Sequence, residues 1–119
     1  MNEQDFRSVG QYEMGLLNAL LTPSFAGRDE LLAQVAVCKI KNFDDNGSFE
    51  FKVESPEHAA PTKYAVPTEG ECEDEDGVVI HLLLHVRGDY LQELEIFRED
   101  NLKVIRRPNP DLLRVFAAQ

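Results

Sequence analysis

The stretch VVIHLLLHVRGDYLQELEIFR, residues 78–98, decides the fold. Its first half is a dense aliphatic run, and its second half alternates apolar with polar residues. That pattern is the period-2 signature of strands, and Gly88 between the two halves supplies the backbone freedom of a turn. Arg87-Gly88-Asp89 therefore reads as a hairpin turn rather than an adhesion motif. A three-residue turn pairs Val86 with Tyr90, Leu84 with Gln92, Leu82 with Leu94 and Ile80 with Ile96. This register gathers one mostly apolar face. A slip of one residue would set Leu82 and Leu84 opposite glutamates, which burial disfavours. The other face then carries Val79 with Phe97, His81 with Glu95, Leu83 with Glu93 and His85 with Leu91. His81 and Glu95 become direct cross-strand neighbours, with His85 and Glu93 within diagonal reach.

Upstream, VCKIKNF and SFEFKV alternate around the turn residues DDNG, a second hairpin with Phe49, Phe51 and Val53 inward and Glu50 and Lys52 outward. Before it, Met14, Leu17, Leu20 and Leu21 recur at helical spacing, with Ser8 and Gln11 as a capping box. GRDELLAQV predicts a second helix, with acidic residues in its first turn and Leu31, Leu32 and Val35 as its apolar stripe. Residues 54–77 hold three prolines and eight acidic residues and read as a loop, with KYAV a short edge strand between Pro61 and Pro67. Downstream, LKVI reads as a last short strand. Asn109 and Pro110 then predict the cap and first residue of a short terminal helix. The order predicts an α+β fold: two N-terminal helices packed on one face of a four- to five-stranded, mainly antiparallel sheet, in one domain spanning 1–119.

The 119 residues are 43% apolar and carry a formal net charge of -10. Clustered Lys and Arg are what phosphate backbones require, and Arg106-Arg107 is the only basic pair, so nucleic acid is not an expected ligand. The start of the chain, MNEQDFRS, lacks the apolar segment of a secretory signal, and no apolar run approaches the roughly 20 residues that cross a bilayer. A cytoplasmic protein without membrane contact is expected. Cys38 and Cys72 are single and unclustered, so neither a disulfide nor a cysteine zinc site is expected.

No catalytic motif stands out. HxxxH at His81 and His85 lies on a strand and lacks the HExxH glutamate. The acidic run EGECEDEDG fails an EF-hand alignment at its first and last ligand positions. No catalytic residue, resident metal or cofactor is therefore identified.

The ordered set DELLAQVAV, EDEDGVVIHLLLHV, GDYLQELEIFRED and PNP resembles a family of small bacterial α+β proteins of unknown function, over residues 14–113. The most specific part is GDYLQELEIF, with Gly88, Leu91, Glu93, Leu94 and Glu95 in the late strand. The resemblance implies the helices-then-sheet fold and no activity. Acidic charge and small size are also similar to those of immunity partners of secreted toxins, by analogy alone.

The reading that follows is a non-enzymatic protein-interaction module, immunity-like or regulatory. It would bind a basic protein partner through Tyr90, Glu93, Glu95, His81, His85 and the acidic loop with Asp74 and Asp76. The alternative is a small-molecule or divalent-metal-binding domain that uses the His/Glu sheet face. A homodimer through a sheet edge is the third expectation.

Overall fold

The structure, a computed structural model, describes residues 5–119. In chain order the elements are β1 (Arg7–Ser8), α1 (Gln11–Leu20), α2 (Arg28–Val37), β2 (Lys39–Asn42), β3 (Phe49–Lys52), β4 (Thr68–Glu73), β5 (Val79–Arg87), β6 (Tyr90–Arg98) and β7 (Arg114–Ala117). The strands form one seven-stranded sheet in the order β1-β2-β3-β6-β5-β4-β7, with every pairing antiparallel. The α+β class is as expected, but the strand count is seven rather than four to five.

The three extra strands are β1, β4 and β7. β4 falls where a loop was expected: Thr68, Gly70 and Cys72 are buried while Glu69 and Glu73 are exposed, so the acidic residues are one face of a strand. KYAV and LKVI are irregular segments, and the expected terminal helix is a single 3-10 turn, Pro110–Leu112. Asn109 caps it as anticipated, its side chain accepting from the Asp111 amide at 2.9 Å. The expected box of Ser8 and Gln11 does not form, because Ser8 belongs to β1. Instead the Gly10 amide donates to Glu13 Oε1 at 2.8 Å.

The central hairpin departs from the anticipated register in an instructive way. Its turn has two residues, Gly88 and Asp89, with φ of 58° and 70°, the positive values of a type I′ turn. Arg87 therefore faces Tyr90, and Val86 faces Leu91. Continued unchanged, that pairing would set Leu84 opposite Glu93 and Leu82 opposite Glu95, the arrangement that burial disfavours. A bulge prevents it: Gln92 is the extra residue, and beyond it His85 faces Glu93 and Leu84 faces Leu94. The final register differs from the anticipated one by two positions. Beyond the bulge that even shift keeps each side chain on its expected face and changes its partner. Before it the pairing is shifted by one: Leu91, expected outward, is buried beside Val86, and Tyr90, expected inward, lies opposite Arg87.

Ile80, Leu82, Leu84, Leu94 and Ile96 consequently point inward and are almost wholly buried. They form one core with Leu16, Leu17 and Leu20 of α1 and Leu31 and Val35 of α2. Each such leucine withdrawn from water contributes about 1.5–3 kcal/mol. α1 lies close on β4: a Cβ at Gly70 would stand 3.1 Å from Leu20 Cδ2, and Thr68 Oγ1 donates to the Leu20 carbonyl at 2.7 Å. α2 is tied to the hairpin tip by Gln34, which is fully buried. Its Oε1 accepts from the Leu91 amide at 2.9 Å, and its Nε2 donates to the carbonyls of His58 and Asp89 at 2.7 and 2.9 Å. Both helices thus cover one face of the sheet. The opposite face presents Glu50, His81, Leu83, His85, Glu93, Glu95 and Phe97.

Candidate metal centre on the outer sheet face

Alternation along each strand aligns one outward row across the sheet. Lys41 of β2 faces Glu50 of β3, Glu50 faces Glu93 of β6, and Glu93 faces His85 of β5. Glu95 is two residues along β6, on the same face. His85 Nε2 stands 3.0 Å from Glu95 Oε1, with side-chain exposures of 29% and 41%. One ligand atom from each of His85, Glu93 and Glu95 lies within 4.8 Å of the other two, and among the described residues this is the one such group of three or more His, Cys, Asp or Glu.

A divalent transition metal held at about 2.0–2.2 Å brings its ligand atoms to roughly 3.0–3.5 Å from one another. His85 and Glu95 already meet that spacing. Closing Glu93 onto them requires a displacement of the order of 1 Å, within the range of a glutamate rotamer change. Imidazole with carboxylates is a donor set for zinc, manganese or iron(II). Three protein ligands on an open face leave coordination positions for water or another donor.

His81 is not part of this group. It faces Phe97 rather than Glu95, stacks on that ring at 5.2 Å with a 24° interplanar angle, and its Nε2 lies 3.1 Å from Glu99 Oε1. Glu99 is a partner that sequence reasoning did not identify. Glu50 is another, recognised as outward-facing but not as a neighbour of Glu93. Tyr90, at the hairpin tip, donates its hydroxyl to the Pro56 carbonyl at 2.7 Å.

The acidic loop is built around Arg98, whose side chain is 3% exposed and whose guanidinium pairs with Asp74, Asp76 and Asp100 at 3.0, 3.0 and 2.7 Å. Asp74 is the inner member, with no exposed side-chain surface. Its two oxygens also accept the amides of Ile105, Arg106 and Glu75 at 2.7, 2.9 and 2.7 Å. Burial alone would raise its carboxyl, but those amides and Arg98 outweigh burial and hold it down at about 2. The Arg98 hydrogen bond, aided by the Leu102 amide, lowers Asp100 to about 2 as well. Asp74 thus ties residues 98–106 to the turn after β4 and exposes no side-chain surface. Asp76 keeps a half-exposed carboxylate.

Burial raises both cysteines, Cys38 to about 11, so the thiol form prevails at neutral pH. Both are free. They add no thiolate ligand to any site.

A family model described as a domain of unknown function, DUF6984, matches residues 6–108. The chain belongs to the DUF6984 family. The match spans β1 to β6 and both helices, and so contains His85, Glu93 and Glu95, while β7 lies beyond it. No curated protein and no solved structure matches the chain. Among the described residues, no helix is long and apolar enough to cross a membrane.

Proposed function

We propose that this DUF6984 domain binds a divalent cation on its outer sheet face through His85, Glu93 and Glu95. The observation that carries the reading is the convergence of an imidazole nitrogen and two carboxylate oxygens within 4.8 Å. Local charge supports it: among the described residues no Lys or Arg pairs with Glu93, although His85 and Glu95 are beside it. A cation there would relieve repulsion between two carboxylates on one strand face. The test is thermal unfolding with and without Zn²⁺ or Mn²⁺, on wild type and His85→Ala. The reading expects a metal-dependent rise in the wild type that the variant loses. Wild-type unfolding unmoved by either ion would sink it.

A second reading is protein recognition by the same face, with Glu93 and Glu95 meeting a basic partner. Phe116 supports it: this aromatic on β7 is 46% exposed and faces Glu69 of β4. The acidic loop contributes less to this reading, since Asp74 is committed to Arg98. Affinity capture comparing wild type with a Glu93→Lys, Glu95→Lys double variant tests it. A partner retained equally by both would exclude this face.

A further inference from the structure

Glu50 has one carboxylate oxygen, Oε1, that is enclosed by protein and makes no hydrogen bond. Buried polar atoms in folded proteins are nearly always satisfied, and an orphaned carboxylate oxygen is costly enough to need a reason. The position of Glu50 supplies one. Phe49 beside it is fully buried and points inward, so Glu50 points to the outer face, directly opposite Glu93. Side chains at directly opposed positions stand about 4.5–5.5 Å apart at Cβ, and like charges there destabilise the sheet. The lysines flanking Glu50 on that face have partners elsewhere. Lys41 Nζ lies 3.3 Å from Asp5, and Lys52 Nζ lies 3.2 Å from Glu54. Among the described residues, neither Glu50 nor Glu93 has a basic partner, although they face one another across two paired strands.

We infer that Glu50 is a fourth protein ligand of the cation, closing on it from β3 beside Glu93. The inference rests on the metal reading above and extends it. It makes the donor set three carboxylates and one imidazole, drawn from β3, β5 and β6. Such an oxygen-rich set favours manganese or iron(II) over softer cations. In the metal-free fold Glu50 lies outside the 4.8 Å group of His85, Glu93 and Glu95, so its side chain swings toward the cation on binding and Oε1 leaves its unpaired, enclosed position. The carboxylate charge that destabilises the metal-free sheet is the charge that the cation requires.

The experiment is Mn²⁺ titration of wild type, Glu50→Gln and His85→Ala, with metal-free unfolding temperatures and a count of exchangeable Mn²⁺-bound waters by pulsed EPR. In Glu50→Gln the new amide can donate to Glu93. That variant is expected to unfold at a higher temperature without metal, to bind Mn²⁺ at least tenfold more weakly, and to show one more bound water. A variant with lost packing alone would show neither the rise in temperature nor the added water. Should Glu50→Gln not fold, Glu50→Asp, with its carboxylate drawn back by one methylene, is expected to show the same weakening. If Glu50→Gln binds Mn²⁺ as wild type does while His85→Ala loses it, Glu50 is no ligand and the three-residue site stands. If wild type binds neither Mn²⁺ nor Zn²⁺, the underlying reading fails and this inference with it.

Discussion

Replacing Asp74 by asparagine keeps the side chain's shape and removes its charge, at a site with no exposed side-chain surface. In the native chain one oxygen accepts from Arg98 and Ile105, and the other from Glu75 and Arg106. An amide offers one acceptor oxygen, so whichever way the new side chain is turned, two donors face an NH₂ group. Two hydrogen bonds to a charged acceptor are lost, at about 1.5–3 kcal/mol each, and breaking a buried ion pair typically costs about 3–5 kcal/mol. Arg98 keeps Asp76 and Asp100, which places the cost toward the lower part of that range, about 3–4 kcal/mol. For a chain of 119 residues, each kcal/mol shifts the midpoint by about 3–5 °C, so Tm should fall by about 9–20 °C. Urea unfolding followed by circular dichroism at pH 7 measures the free energy, and calorimetry the Tm. Asp76→Asn is the control: its carboxylate is 43% exposed, and its loss should cost about 0–1 kcal/mol. A loss below about 1 kcal/mol for Asp74→Asn would refute the anchor role, because the two hydrogen bonds removed are worth at least about 1.5 kcal/mol each.

The same cluster sets an acid limit. The carboxyls of Asp74 and Asp100 are held at about 2 in the fold, below their ordinary range near 4. A depressed carboxyl stabilises above its unfolded value and loses that contribution as pH falls through its folded value. Urea midpoints should therefore drop between about pH 4 and pH 2, and the drop should be shallower in Asp74→Asn. Gln34→Leu leaves the Leu91 amide and the His58 carbonyl without their buried partner, at a cost of about 2–4 kcal/mol. Hydrogen exchange at Leu91 should accelerate accordingly, and unchanged protection there would contradict the clamp.

Beyond the bulge the faces of the central hairpin were legible in the sequence, and its pairings were not. The aliphatic alternation marks Ile80, Leu82, Leu84, Leu94 and Ile96 as inward, but at the tip the two-residue turn sends Leu91 inward in place of Tyr90. The turn length and the bulge at Gln92 depend on backbone geometry that side-chain pattern does not encode, so His81 was matched with Glu95 when it stacks on Phe97. β4 was missed for a compositional reason. Its inward positions are Thr68, Gly70 and Cys72, small because α1 lies directly above them, and its outward glutamates resemble a solvated loop. Asp74 illustrates a different limit: it accepts from Arg98, Ile105 and Arg106, which lie 24, 31 and 32 residues away. No local pattern distinguishes such an aspartate from its exposed neighbours. The proposed cation site falls between these cases, since His85, Glu93 and Glu95 were candidates by type and face, while Glu50 became a neighbour of Glu93 only through the β3–β6 register.

The most direct test of the account is isothermal titration of the metal-free protein with Mn²⁺ and Zn²⁺, beside a Glu93→Gln, Glu95→Gln double variant. The account predicts one ion bound per chain and loss of that binding in the variant. A saturating ion at one hundred times its Kd should also add about 2.7 kcal/mol to stability. No binding of either ion by the wild type, or equal binding by the variant, would contradict it.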